Sequence, residues 1–148
     1  MRSSFLITIV FAFLTGCAST RTYFPLNPQN DGEATVHIFR DSVRPYAFAL
    51  EIFVDGEKAA SLPDRSYAAF SVPAGEHSFL LEWQPGSLAP GKLEAKARFK
   101  GRDSRYFVVS EKDLPGPSIY YVFFSDRLRL FEVSAEYAQQ LRPKLRQK

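Results

Sequence analysis

From Glu33 onward, apolar and polar residues alternate with a period of two, the spacing of strands that bury one face and wet the other. "ATVHIFR" sets Val36 and Ile38 against Thr35, His37 and Phe39. "FALEIFV" places Phe48, Leu50, Ile52 and Val54 on one face and runs into Asp55-Gly56. That pair favours a two-residue hairpin, because both central positions of such a turn take positive φ. Lys58 to Leu62 forms the return strand. "YAAFSVPAGEHSFLLEW" reads as a second hairpin, turning at Pro73-Ala74-Gly75, where Pro sets φ and Gly accepts a left-handed conformation. Its second arm points His77, Phe79, Leu81 and Trp83 one way and Ser78, Leu80 and Glu82 the other.

Beyond the loop "QPGSLAPG", "LEAKARF" opposes Leu93, Ala95, Ala97 and Phe99 to Glu94, Lys96 and Arg98. "RYFVVS" and "SIYYVFF" follow, separated by "EKDLPGPS". Residues 119–124 are apolar on both faces, which predicts a central strand or an interface. "RLRLFEV" sets Leu128 and Leu130 against Arg127 and Arg129. Ser134 is placed to cap a short helix, "AEYAQQLR", with Glu136 in its first turn and Pro143 near its end. About eight short strands and one terminal helix predict an all-β fold, a two-layer antiparallel β-sandwich with a short C-terminal helix.

At 148 residues, 45% hydrophobic and 24% charged, the chain has the size and composition of one folded domain. The aromatic fraction, 15%, agrees with strands. A net charge of +3 with no basic stripe or recognition motif argues against nucleic acid as a partner. The basic end, "RPKLRQK", carries Arg142, Lys144, Arg146 and Lys148. It reads as a solvated tail, with contact to anionic headgroups or cell-wall polymer as the alternative.

The single cysteine, Cys17, cannot form an internal disulfide. It closes the N-terminal pattern instead. Arg2 supplies a positive start, "FLITIVFAFL" an apolar run of ten residues, and Thr15-Gly16 the small residues before Cys17. Ten residues are too few to span a bilayer, which takes about 20, and suit an export signal. "LTGC" resembles the lipobox of bacterial lipoproteins. That resemblance implies cleavage before Cys17, lipidation of its sulfur, and a membrane-anchored protein of the bacterial cell envelope. One acyl chain holds a protein marginally, and two or three hold it durably. Ala18 follows where, in enterobacterial lipoproteins, an aspartate would favour retention at the inner membrane, so the outer membrane facing the periplasm is expected. The expected organisation is a signal peptide at 1–16, lipidated Cys17 and a tether at 17–32, the sandwich at 33–133, and the helix and basic tail at 134–148. The tether spans on the order of 45 Å when extended, unless Tyr23, Phe24 and Leu26 dock back on the domain.

"ATVHIFRD" followed by "LEIFVDGEKAASLPDRSYAAFSVPAGEHSF" is similar to the bacterial lipoprotein family called domain of unknown function 2846, and to the small PEGA surface module, which shares the V-D-G hairpin and the P-x-G-x-H turn. The resemblance covers about residues 34–133. It implies a β-sandwich envelope lipoprotein and carries no catalytic residues.

The residues themselves point to little chemistry. His37 and His77 lie on separate strands, and a metal site needs further ligands that the pattern does not supply. No G-x-S-x-G elbow accompanies the serines. No carboxylate pair stands in a setting that marks a glycosidase, and Asp55 and Glu57 read as solvated charges flanking a turn. No catalytic, metal or cofactor-binding residue is therefore assigned, and no cofactor. The expected function is a non-enzymatic, lipid-anchored envelope module with a structural or protein-binding role, its partners the membrane and another envelope protein or cell-wall polymer. The alternative is a carrier or sensor of a small apolar ligand held between the sheets.

Overall fold

The computed structural model describes residues 31–89, 91–114, 120–124, 128–144 and 146–147. Its strands are β1 (Glu33–Arg40), β2 (Leu50–Val54), β3 (Glu57–Leu62), β4 (Ser66–Pro73), β5 (Gly75–Trp83), β6 (Lys92–Phe99), β7 (Ser104–Ser110), β8 (Tyr120–Phe124), β9 (Arg129–Val133) and β10 (Arg146–Gln147). One helix, α1 (Ala135–Leu141), precedes a 3₁₀ turn at Arg142–Lys144. The strands form a six-stranded sheet, β10-β4-β1-β7-β9-β8, and a four-stranded sheet, β3-β2-β5-β6. Ile38, Phe70, Phe107 and Leu130 of the first sheet meet Leu50, Ile52, Leu81 and Leu93 of the second in one buried core. This is the expected β-sandwich.

The first predicted hairpin is present. β2 and β3 pair antiparallel, and Asp55 and Gly56 take φ of 52° and 83°, the positive values that a primed turn demands. Leu50, Ile52 and Val54 are fully buried. The second predicted hairpin is not one. β4 pairs with β1 in the larger sheet, whereas β5 pairs with β2 and β6 in the smaller. Ala74 is a corner where the chain passes between layers. Pro, Ala and Gly make an abrupt change of direction, and that chemistry serves a corner as well as a hairpin.

Two further departures come from pairing. β1 and β7 run parallel, as do β10 and β4, within an otherwise antiparallel fold. β8 closes one edge of its sheet, bonded to β9 alone and lying alongside β6 of the other layer, rather than taking the central place read from residues 119–124. An apolar run reports burial on both faces, and a strand at the corner between layers meets that condition as well as a central one does. The core role read for its side chains lies outside the described residues.

Thr35, His37 and Phe39, read as the wet face of β1, are buried too. Phe39 is covered by α1, whose residues Ala138, Tyr137 and Leu141 pack on the outer face of the large sheet against it and against Tyr67, Val108, Phe131 and Val133, and the His37 ring is stacked on Tyr106 of β7. Ser134 caps the helix as expected, its side chain accepting from Tyr137 N–H at 3.3 Å. The segment after it is more than a solvated tail: the Arg142 guanidinium lies over the Tyr67 ring, and β10 adds to the free edge of β4.

The register fixes two ends. At the entry end lie Asp31 and Gly32, the Asp55-Gly56 turn, the Ala74 corner and the turn before β7. At the far end lie the loops after β1, β3 and β5.

Candidate functional site

The far end is organised by a buried cation. Arg40, the last residue of β1, is 0% exposed. Its Nη1 donates to the carbonyls of Phe48 and Leu62, both at 2.7 Å, and its Nη2 to those of Val43 at 2.8 Å and Pro45 at 3.0 Å. Asp64, with Oδ1 4.0 Å from Nη2, is the nearest carboxylate partner. Burial holds the Arg40 pKa below its ordinary value, opposed in part by the charges of Asp64 and Glu111. A guanidinium offers five donors in a rigid fork and stays charged. Here most of its donors are spent on backbone carbonyls of loop 41–49 and on Leu62 at the end of β3. The loop thus takes a defined shape without secondary structure of its own.

Other contacts hold the same loop. Asp41 N–H donates to the Val109 carbonyl and Arg44 N–H to Glu111 Oε1 at 2.7 Å. Loop 84–89 is fastened beside it: Gln84 N–H donates to the Ala49 carbonyl at 2.9 Å, and Gly86, at φ 95°, turns next to the Phe48 ring. Within it, Ala89 N–H donates to Ser87 Oγ.

These two loops carry the exposed large apolar side chains found among the described residues, Tyr46 at 52% and Leu88 at 100%. Arg44 Nε donates to the Tyr46 hydroxyl at 3.4 Å. That bond, with a second from Ser42, holds the phenol below its ordinary pKa. A single exposed Leu is ordinary on a protein surface. An exposed Leu and Tyr on adjoining, internally bonded loops are the elements of a preorganised contact surface.

The other residues weighed from the sequence lie elsewhere. Cys17 and the tether fall outside the described residues. His37 is in the large sheet, its ring stacked on Tyr106 at 4.6 Å, and burial followed by the charge of Arg142 lowers its pKa. His77 is in the small sheet, bonded to Asp55 and Pro73. The two do not share a site, and no cluster of three His, Cys, Asp or Glu occurs among the described residues. Between the sheets, Ile38, Phe79, Ala95, Ala97, Phe107 and Leu130 line a void of about 10 Å³, room for about one water molecule. A wider open groove of about 530 Å³ runs along β5 and β6 beside Gly56, bordered by Ser78, Leu80, Glu94 and Lys96. No helix among the described residues is long and apolar enough to cross a membrane.

Sequence reasoning passed over Arg40, Tyr46 and Leu88. Arg40 carried one signal, a charge closing the apolar stretch "ATVHIFR". Comparison of the chain with family models, curated proteins and solved structures returns no match.

Proposed function

We propose that this chain is a lipid-anchored protein of the bacterial cell envelope, tethered through Cys17, whose sandwich presents the far loops as a protein-binding surface without catalysing a reaction. The observation that carries the binding role is the placement of Tyr46 and Leu88 on two mutually bonded loops, at the end opposite the entry of the chain. The export signal and "LTGC" support the anchor, and the likeness of "ATVHIFRD" and "VDGEKAASL" to domain of unknown function 2846 supports the envelope setting. With the anchor at one end, the far loops would face away from the membrane.

Photocrosslinking in intact cells tests the reading. A crosslinker at Leu88 should capture a discrete protein, one at Glu57 in the entry-end hairpin should not, and Tyr46→Ser should abolish the capture while leaving the fold intact. Equal capture from both positions, or capture indifferent to Tyr46→Ser, would remove the far loops from the binding role.

The second reading, a carrier of a small apolar ligand, draws support from the open groove along β5 and β6, whose volume lies in the range of ligand sites. The space between the sheets gives it none. A fluorescent fatty-acid analogue bound by the wild type and weakened by Leu80→Glu would favour it.

A further inference from the structure

The outer face of the six-stranded sheet is buried beyond the row on which α1 packs. Three rows of outward side chains cross the middle of that face. Phe39 stands between Tyr67 of β4 and Val108 of β7, and α1 packs on this row. His37 stands between Ala69 and Tyr106; Thr35, nearest the entry end, stands between Ser71 and Ser104. The last two rows are closed to solvent as well: Thr35 is 3% exposed, Ala69 6% and His37 9%. Tyr106 stacks on the His37 ring, and Arg142 lies over Tyr67, one row away. Neither stands in the Thr35 row, and two serines are too short to bury a threonine between them. Ala69 belongs to neither buried apolar cluster of the sandwich. The buried Nδ1 of His37 has no hydrogen-bond partner among the described residues. A face closed to this degree has a cover.

The chain enters beside these rows. Asp31 and Gly32 are fastened there: Arg102 Nε donates to Asp31 Oδ1 at 2.8 Å, Ala74 N–H to the Gly32 carbonyl at 2.8 Å, and Arg102 N–H to the Glu33 carbonyl at 2.7 Å. The stretch between Cys17 and Asp31, "ASTRTYFPLNPQN", lies outside the described residues and carries Tyr23, Phe24 and Leu26 as its large apolar side chains. Phe24 and Leu26, two residues apart, share one face of an extended segment, and Pro25 and Pro28 keep that segment extended. From Asp31 back to Leu26 the chain reaches up to about 17 Å, whereas Glu33 to His37 covers about 13 Å of β1. The length suffices to bring both side chains over the two rows.

We infer that Phe24 and Leu26 fold back onto the outer face of the large sheet and cover Thr35, His37 and Ala69, so that the tether is a strap rather than a free leash. Docking removes an aromatic ring and a leucine from water, and the fixed φ of the two prolines lowers the entropy that it must overcome. The docked strap leaves about seven residues between Cys17 and Phe24, a reach of about 25 Å, roughly half that of the extended tether. It holds the sandwich close to the anchor and restricts its tilt. The docking stands on the buried face itself; its consequence for height above the membrane rests on the lipid anchor proposed above.

The test uses the full chain with Cys17→Ser, which removes the native thiol and any lipidation, so that its outcome is independent of the anchor. A thiol placed by Thr35→Cys should react slowly with a charged maleimide. Adding Phe24→Ser and Leu26→Ser should speed that reaction at least about tenfold, while a thiol placed by Lys96→Cys, on the exposed face of β6, should react equally fast in both backgrounds. An unchanged Thr35→Cys rate in the serine background overturns the inference. Protection that is lost on dilution assigns the cover to a second copy and overturns it too. If Thr35→Cys does not fold, methyl nuclear magnetic resonance of the full chain decides. Nuclear Overhauser contacts are expected from the Thr35 and Ala69 methyls to the Phe24 ring and the Leu26 methyls, and their absence also overturns the inference.

Discussion

The Arg40 guanidinium lies over the Trp83 indole, 4.9 Å from its ring centroid. Arg40 ends β1 in the six-stranded sheet and Trp83 ends β5 in the four-stranded one, so a cation–π contact joins the two layers at the far end. It gains strength from desolvation and places the guanidinium where it also gathers four carbonyls.

Arg40→Met keeps the bulk of the side chain and removes all four donations, of which those to Leu62 and Val43 are buried. With each buried, unsatisfied acceptor costing about 1–3 kcal/mol, the variant should lose at least about 2 kcal/mol. Arg40→Lys should also be destabilised, because an ammonium has three donors and no planar fork. Arg65→Ala, whose side chain is 68% exposed, should change stability by no more than about 0.5 kcal/mol. Urea denaturation midpoints check all three, and an Arg40→Met midpoint near wild type would refute the structural role.

Three glycines separate backbone strain from steric clash. A Cβ at Gly56 or at Gly32 would meet nothing within 4 Å, but Gly56 has φ +83° and Gly32 is outside the left-handed region. Gly56→Ala should cost about 1 kcal/mol. Gly32→Ala should be neutral or stabilising by up to about 1 kcal/mol, through the unfolded chain. At Gly101 the added atom would fall 2.1 Å from the Asp31 carbonyl oxygen, so Gly101→Ala should be the most damaging. Thermal melts giving any other order would contradict the turn geometry.

His37 predicts a pH dependence. Burial, followed by the charge of Arg142, lowers its folded pKa from the ordinary 6.5. A lowered pKa means that the unfolded chain takes up the proton first. The stability contribution is therefore complete above about pH 6.5 and is lost as pH falls through the folded value. His37→Phe, which preserves the stack on Tyr106, should flatten the denaturation midpoint between pH 7 and 5. Arg142→Gln should flatten it partly. An unchanged slope in His37→Phe would place the titration elsewhere.

Cys17→Ser tests the anchor. Labelling with radioactive fatty acid should disappear, and the protein should leave the membrane fraction or accumulate as the uncut precursor. Normal processing and retention of the Cys17→Ser protein at the membrane would end the lipoprotein reading.

Alternation by itself was enough to locate β1, β2, β5, β6 and β9, since a period of two reports that one face is buried. Asp55-Gly56 marked its hairpin because few residue pairs accept two positive φ values, and Ser134 marked its helix because a hydroxyl there satisfies a free N–H. Local chemistry stops at the neighbour. "VPAGEH" suits a hairpin and a corner equally, and the distinction lies in whether β5 bonds to β4 or to β2 and β6. The parallel pairing of β1 with β7, the edge position of β8, the stacking of His37 on Tyr106 and the covering of Phe39 by α1 depend on contacts between residues far apart in the chain. Arg40 is the clearest case. Its carbonyl partners come from loop 41–49 and from β3, and its aromatic partner from β5. A charge at the end of a strand becomes the organiser of a loop end only when the tertiary fold brings those groups around it.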